Sequence, residues 1–242
     1  MRLTVSDSSV PLYQQVCNTI REEIETGVFQ PSDRLPSELE LCERFGVSRI
    51  TLRSAIDTLV QDGFLVRRRG KGTYVAPPAM VESIHACGSF TASCIKQGAE
   101  PSTVIISATR GSADRRCAEA LSISAGSPII LLERLRTVNG QPTIFETDYL
   151  PISFESILSL PLENQSLFTL IREHFGLVPD HLWDQFGIKL ATNKHSQWLD
   201  CPMSTPLLWI GQTVEVNGSP IYYNEQYIRS ERYIYAVKYS VF

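Results

Sequence analysis

An α+β chain of two domains is what three features of the sequence predict. Between Arg34 and Val75, two consecutive amphipathic helical patterns run into a short hairpin with two glycines at its tip. Ala76-Pro77-Pro78-Ala79 then breaks the pattern, since proline lacks a donor N–H and its ring fixes φ. Beyond that break, a long β-hairpin recurs after a shift of 78 positions, the mark of a duplicated antiparallel sheet with helices against it. The boundaries that follow are 1–75 for the first domain, 76–82 for a linker and 83–242 for the second.

In the first domain, Pro11 to Thr26 carries Leu12, Val16, Ile20 and Ile24 in one stripe and ends at Gly27, which predicts a helix packed behind the next two. Ser37 and Glu40 have capping-box spacing, and Leu39, Leu41 and Phe45 supply the apolar contacts of a short helix that Gly46 can end in the left-handed conformation. Ser48 offers the N-cap of another helix, with Leu52, Ala55, Ile56, Leu59 and Val60 on one face. Arg49, Thr51, Arg53 and Ser54 fall off that stripe. Such a helix, set by a tight turn, can enter a major groove, where arginine bonds guanine O6 and N7 as a pair. Phe64-Leu65-Val66 and Thr73-Tyr74-Val75 read as partner strands, and Arg67-Arg68-Arg69-Gly70-Lys71-Gly72 lies between them. The order predicts a winged helix-turn-helix whose wing cations suit phosphate or a minor groove.

Charge distribution agrees with that reading. The chain has 242 residues, 43% hydrophobic and 20% charged, with a net charge of −4. Residues 44–71 nevertheless hold seven Lys/Arg against two Asp/Glu, while 76–242 hold 12 against 16. Basic charge concentrated on one element pair favours DNA there, and the acidic remainder limits indiscriminate adhesion. No apolar run is long enough for a membrane span, and the first residues lack a signal core, so a cytoplasmic location is expected. The six cysteines have neither C-x-x-C nor matching histidine spacing, so neither a metal, a cofactor nor a disulfide framework is expected.

The second domain is organised by its repeat. Ser127 to Leu150 aligns without a gap to Thr205 to Ile228, with Asn139-Gly140 and Asn217-Gly218 as type I′ turn pairs. A helical segment precedes each hairpin, Ala113 to Leu121 and Asn193 to Leu199. The halves differ where chemistry could lie, since Arg134 and Arg136 correspond to Gln212 and Val214. At period two the arginines share a face, as do Glu146 and Asp148 on the returning strand. Two readings stand side by side: an anion held by the arginine pair, or an exposed cross-strand ion pair with Glu146 that contributes little.

The chain resembles GntR-type bacterial transcription regulators of the HutC branch, whose effector domain (UTRA) is similar in fold to chorismate lyase. The resemblance rests on L-P-S-E-x-E-L (Leu35 to Leu41), F-G-V-S-R-x-T-L-R (Phe45 to Arg53), A-I-D-x-L-V-x-D-G (Ala55 to Gly63) and R-x-G-x-G-T-Y-V (Arg68 to Val75). In the second domain it rests on S-F-T (Ser89 to Thr91), R-L-R-x-x-N-G-x-P (Arg134 to Pro142), S-L-F (Ser166 to Phe168) and Y-x-R-x-E-R-Y (Tyr227 to Tyr233). It implies DNA contacts from Arg34, Ser37, Glu38, Ser48, Arg49, Thr51, Arg53, Arg69, Gly70, Lys71 and Gly72. It implies effector contacts from Ser89, Phe90, Thr91, Arg134, Arg136, Glu146, Ser166, Phe168, Tyr223, Glu225 and Tyr227. Leu39 stands where many relatives carry arginine, and Asp184-Gln185 where they often carry glutamate.

The partners it implies are double-stranded operator DNA in an inverted repeat, a second copy of the chain and a small anionic metabolite. Two competing classes are an enzyme, since a lyase shares the fold, and a DNA-bound scaffold without a ligand. The chain has no G-x-S-x-G, P-loop or H-E-x-x-H motif, and His85, His174, His181 and His195 are scattered. An enzyme is therefore not expected.

Overall fold

A computed structural model describes residues 10–68, 70–77, 79–83 and 90–236, with backbone only for 81–83. The chain divides into two compact units, 1–79 and 80–242.

The first unit contains α1 (Leu12–Glu25), α2 (Glu38–Phe45), α3 (Arg49–Gln61) and the hairpin β1 (Leu65–Arg68) and β2 (Gly72–Val75). Local sequence determines each end. Ser37 caps α2 in a reciprocal capping box with Glu40, and Gly46 closes it at φ 70°, a conformation that costs glycine little. The Ser48 side chain accepts from the Thr51 N–H at 3.2 Å and starts α3. Val16, Ile20, Leu41, Phe45, Leu52, Ile56, Leu59, Leu65 and Val75 form the core. Leu39 is a correction to the expected apolar stripe, because it is 54% exposed. Leu41 and Phe45, four residues apart, define the buried face of α2, and a residue two positions before Leu41 points round the helix to solvent.

The second unit is built on one antiparallel sheet of order β4-β5-β6-β9-β8-β7. Its strands are β4 (Pro101–Ser112), β5 (Pro128–Val138), β6 (Gln141–Pro151), β7 (His181–Leu190), β8 (Pro206–Val216) and β9 (Ser219–Ile228). The helices are α4 (Phe90–Lys96), α5 (Arg115–Leu121), α6 (Leu167–Phe175) and α7 (Asn193–Leu199), with a 3-10 segment at Ile152–Ser159. Each repeat is strand, helix and hairpin, so the duplication extends upstream of the aligned hairpins to β4 and β7. It reaches fine detail, because the β-bulges after Arg136 and Val214 also lie 78 residues apart. Both Asn-Gly turns have positive φ at both residues, as type I′ requires. The halves join where β6 pairs with β9, from Ile144 opposite Ile228 to Tyr149 opposite Tyr223.

Met80–Ser83, of which 80–82 fell in the expected linker, forms β3 and pairs in parallel with β10 (Tyr233–Ala236). Met80 is buried against Tyr233 and Ile228, so the chain is already bound to the second core there.

Helices cover the two faces of the sheet differently. On one face, α6 and the 3-10 segment pack over Ile130, Leu132, Leu150, Val214 and Tyr222, while α4, β3 and β10 cover Val138, Ile144, Ile210 and Ile228. On the other, α5 follows β4 yet packs on β9, and α7 follows β7 yet packs on β6. Gly211 lets Trp209 and Tyr223 approach the strand on this second face, since a Cβ there would lie 2.7 Å from Trp209 Cη2 and 2.8 Å from the Tyr223 hydroxyl. Gly211→Ala is expected to cost about 1–3 kcal/mol through overpacking, read as a lower urea midpoint of the second unit with that of the first unchanged.

Candidate functional site

In the first unit, the face of α3 that misses the core presents Ser48, Arg49, Ile50, Arg53 and Ser54 to solvent, with Thr51 half-buried. Ile50 is 81% exposed, a large apolar side chain with no core to serve. It was absent from the expected set because alternation identifies polar residues off the stripe more readily than an apolar one.

Short contacts brace this face. Arg53 Nε donates to Glu38 Oε2 at 2.9 Å, tying α3 to α2. Arg67 pairs with Asp57 at 2.6 Å, tying the wing to α3. The Arg68 guanidinium lies 4.6 Å from the Tyr74 ring centre. At the wing tip, Gly70 and Gly72 have φ of 72° and 117°, and Lys71 is exposed. The Arg34 guanidinium lies so close to Gly72 that a Cβ would sit 3.1 Å from its Nε. Ser37 caps α2 and Glu38 holds Arg53, so those two predicted contact residues also have work inside the fold. Arg69 lies outside the described residues.

In the second unit, one polar row crosses the sheet face beneath α4 and α6. Arg134 Nε donates to Asp148 at 2.7 Å and its Nη2 lies 2.6 Å from Glu146. Arg136 Nε donates to the same Glu146 oxygen at 2.7 Å and its Nη1 to Thr103 Oγ1 at 3.1 Å. Asn224 continues the row, donating to the other Asp148 oxygen at 2.7 Å, and across the next strands Gln212 donates to Asp184 at 2.8 Å. Arg134, Arg136, Glu146 and Asp148 are all buried. The exposed ion pair considered from sequence is thus corrected to a buried network, because α4 and α6 roof that face.

Burial costs all four charges, and their pairing offsets it. Burial disfavours the Arg134 guanidinium, yet Asp148 and Glu146 keep its pKa raised. Glu146 is likewise opposed by burial, but Arg134 and Arg136 hold it below its ordinary value. Burial and the neighbouring Glu146 push Asp148 up.

The predicted partners gather around this row. The Arg136 guanidinium lies 5.2 Å from the Phe90 ring centre, at the start of α4 beside Thr91. Phe168 meets Tyr222 edge-on, with ring centres 5.9 Å apart. Ser166 caps α6 without a side-chain cap bond. Two residues earlier, Asn164 accepts from the Thr103 N–H at 2.9 Å, which docks the approach to α6 beside the hydroxyl that Arg136 uses. Ser89 lies outside the described residues.

Comparison with known proteins decides what these two sites belong to. Residues 12–75 match the bacterial regulatory proteins of the gntR family, and residues 96–234 match the UTRA domain. The chain belongs to the gntR family and carries a UTRA domain. Among relatives, the HTH-type transcriptional regulator YurK of Bacillus subtilis is 33% identical over 217 residues, 89% of this chain and 90% of that one. The "Probable fructoselysine utilization operon transcriptional repressor" of Escherichia coli is 31% identical over 225 residues, 91% of each chain. Among solved structures, PhnF from Mycobacterium smegmatis matches with a TM-score of 0.66 at 25% identity, over 94% of this chain and 100% of that one. This gntR-family regulator is a transcription regulator, not an enzyme: its helix-turn-helix domain binds DNA and its UTRA domain binds a small-molecule effector. Among the described residues, no helix is long and apolar enough to cross a membrane.

Three residues of the predicted effector set do not join the arginine row. Tyr223, Glu225 and Tyr227 alternate to the opposite sheet face, under α5 and α7. There Glu225 pairs with Arg116 at 2.8 Å and Lys189 at 3.7 Å, and Tyr223 and Tyr149 donate to it at 3.3 and 3.4 Å. The Trp209 ring has the Arg116 and Lys189 cations 4.2 and 3.9 Å from its centre. A cleft of about 380 Å³ opens beside α5, lined by Arg116, Trp183, Gln185, Thr213 and Tyr223 among others. The repeat carried the missed signal, since Glu225 lies 78 residues after Thr147, which faces away from Glu146. Asn224, Gln212 and Thr103, which do extend the row, were missed because neutral polar residues in strands carry no motif.

Arg134→Ala would leave two buried carboxylates short of their cation and is expected to destabilise the UTRA domain by about 3–5 kcal/mol, measured by urea unfolding. On the opposite face, burial first, then Lys194 and Lys189, lower the His195 pKa, and its Nδ1 accepts from the Thr192 N–H at 3.3 Å. Folding therefore favours the neutral ring. That contribution is complete above the unfolded value of about 6.5 and is lost as pH falls through the lowered folded value, at no more than about 1.4 kcal/mol per pH unit. The urea midpoint is expected to drop between pH 7.5 and 5.5, with a smaller drop in His195→Gln.

Proposed function

We propose that this regulator is a homodimeric repressor of a transport or catabolic operon, released from or recruited to an inverted-repeat operator by an anionic metabolite such as a sugar phosphate. The solvent face of α3 carries the DNA half of this reading. Arg49 and Arg53 supply paired donors for guanine, and Ile50 an apolar contact for a thymine methyl. Arg34, Lys71 and the positive-φ glycines of the wing would lie against the backbone or minor groove. A two-fold dimer matches a palindrome because each half-site then meets the same surface. The repressor role is supported by the Escherichia coli relative, a probable transcriptional repressor of the fructoselysine utilization operon.

Arg134 and Arg136 beneath the start of α6 support the effector half. The ion network is neutral as it stands, so an arriving anion would have to share guanidinium donors with Glu146 and gain from the N–H groups that begin α6. Phe90, Thr91, Ser166 and Phe168 would enclose it. Such a ligand alters DNA binding only by as much as its affinities for the DNA-competent and DNA-incompetent arrangements differ.

Arg53→Ala is expected to weaken specific operator binding by about 1–3 kcal/mol, and an unchanged footprint and affinity would remove it from the reader set. Wild-type affinity is expected to fall about 10³-fold or more between 50 and 200 mM salt; flat salt dependence would count against phosphate contacts. Thermal-shift screening with sugar phosphates and other anionic metabolites is expected to find a ligand that adds about 2.7 kcal/mol at 100 times its dissociation constant. Arg136→Gln should lose that shift while still binding DNA.

A further inference from the structure

Asp148 differs from the three charges it joins. It has no exposure at all, and its two oxygens accept from different kinds of donor. Arg134 Nε reaches Oδ2 at 2.7 Å, while Asn224 Nδ2 on the facing strand reaches Oδ1 at 2.7 Å. Glu146 instead gives one oxygen to both arginines. A guanidinium can only donate, but an amide can donate or accept. Asn224 has an acceptor to spare, because its Oδ1 is buried and receives no hydrogen bond from any described residue. A buried acceptor left over in this way is uncommon and calls for an explanation. A half-turn of the Asn224 amide would bring that oxygen to the same short distance from Asp148, placed to accept from a protonated carboxyl.

Charge balance supplies the occasion. The row holds two guanidinium groups and two carboxylates, so it is neutral with both acids ionised. Charged side chains of the covering elements contribute little there: Arg172, Glu173 and His174 of α6 and Lys96 of α4 are exposed, and Glu155 of the 3-10 segment is paired with Arg110. Asp184, two strands beyond Asn224, is held by Gln212. The groups that act on Asp148 are Arg134 and Arg136 on β5, Glu146 on its own strand and Tyr222 on β9. Burial and Glu146 already press its pKa upward. A doubly charged anion drawing on the same guanidinium groups would leave the buried row two charges negative. Protonating one carboxylate is the smallest correction in a medium that disfavours unpaired charge.

We propose that anion binding at Arg134 and Arg136 takes up one proton, carried by Asp148 and accepted by Asn224. A proton from water forms an O–H on Asp148 Oδ1, the Asn224 amide turns so that its own Oδ1 accepts, and Arg134 stays on Asp148 Oδ2. Asp148 then has a higher pKa with the anion bound than without it. Affinity therefore rises as pH falls between those two values, by at most about tenfold per pH unit. A phosphomonoester, whose second ionisation lies at about pH 6, could bring the proton itself and bind as its monoanion. This inference rests on the anionic effector of the proposed function and gives its binding a proton count.

Inorganic sulfate is the probe, because it stays a dianion with no proton to give between pH 5.5 and 8. Calorimetric titration of the full chain, in two buffers of different ionisation enthalpy, is expected to count close to one proton taken up per sulfate bound. The dissociation constant should fall at least tenfold from pH 8 to pH 5.5, and Arg136→Gln should abolish binding. Asp148→Asn carries the neutral form permanently, so its affinity should lose the pH dependence. In Asn224→Leu the uptake should shrink, since Asp148 loses a donor when ionised and an acceptor when protonated; this variant decides the matter if Asp148→Asn fails to fold. Sulfate binding that needs Arg136 but takes up no proton overturns the coupling and leaves the anion site standing. So does an uptake that persists in Asp148→Asn or is unchanged in Asn224→Leu. Sulfate that does not bind, or that binds Arg136→Gln equally well, removes the anion site and the coupling together.

Discussion

Glu146 accepts from two arginines with a single oxygen, and the UTRA domain is arranged around that fact. Arg134 and Arg136 can approach one carboxylate closely only because Asp148 takes a second bond from Arg134 and Thr103 one from Arg136. Asn224 then holds Asp148 from the other repeat, so the row bridges the seam where β6 meets β9. A buried ion network of this kind adds little net stability against an apolar alternative. What it supplies is geometry, since removing any member leaves a charge that burial forbids. The side chains that would greet an effector are therefore also those that fix the register of the sheet beneath it.

The reader domain reaches rigidity by other means. Its core is small and wholly apolar, and its charged side chains are braced at the surface, where each pair contributes little. Glu38 with Arg53 and Asp57 with Arg67 link α2, α3 and the wing in series. In the proposed function such bracing would hold long, rotamer-rich side chains near a common orientation before DNA arrives and so reduce the ordering cost of binding. On that reading both acids would compete with phosphate or base for the same guanidinium groups.

Sequence reasoning reached most of the local structure because the signals were local. The Ser37–Glu40 box, the caps at Gly46 and Ser48 and both Asn-Gly turns are decided by residues a few positions apart. Alternation placed Arg134, Arg136, Glu146 and Asp148 on one face. It could not say that the face is buried, because the roof is made by α4 and α6 from distant parts of the chain. Parity also limited the effector set. The family resemblance groups Tyr223, Glu225 and Tyr227 with the arginines, and a single-residue offset in a strand sends them to the opposite side. Leu39 failed for a related reason, as two leucines at spacing two cannot share the inner face of a helix.

The crossing of α5 and α7 reaches beyond the site. Each helix leaves its own edge strand and reaches a strand of the other repeat, so the cores beneath α5 and α7 are shared between the two repeats. A chain carrying one repeat would have to borrow the missing helix from a twin, in the manner of a domain-swapped pair. The present domain is that pair made continuous, with the stretch from the 3-10 segment through α6 serving as the tether. The sheet is therefore expected to unfold as one cooperative unit.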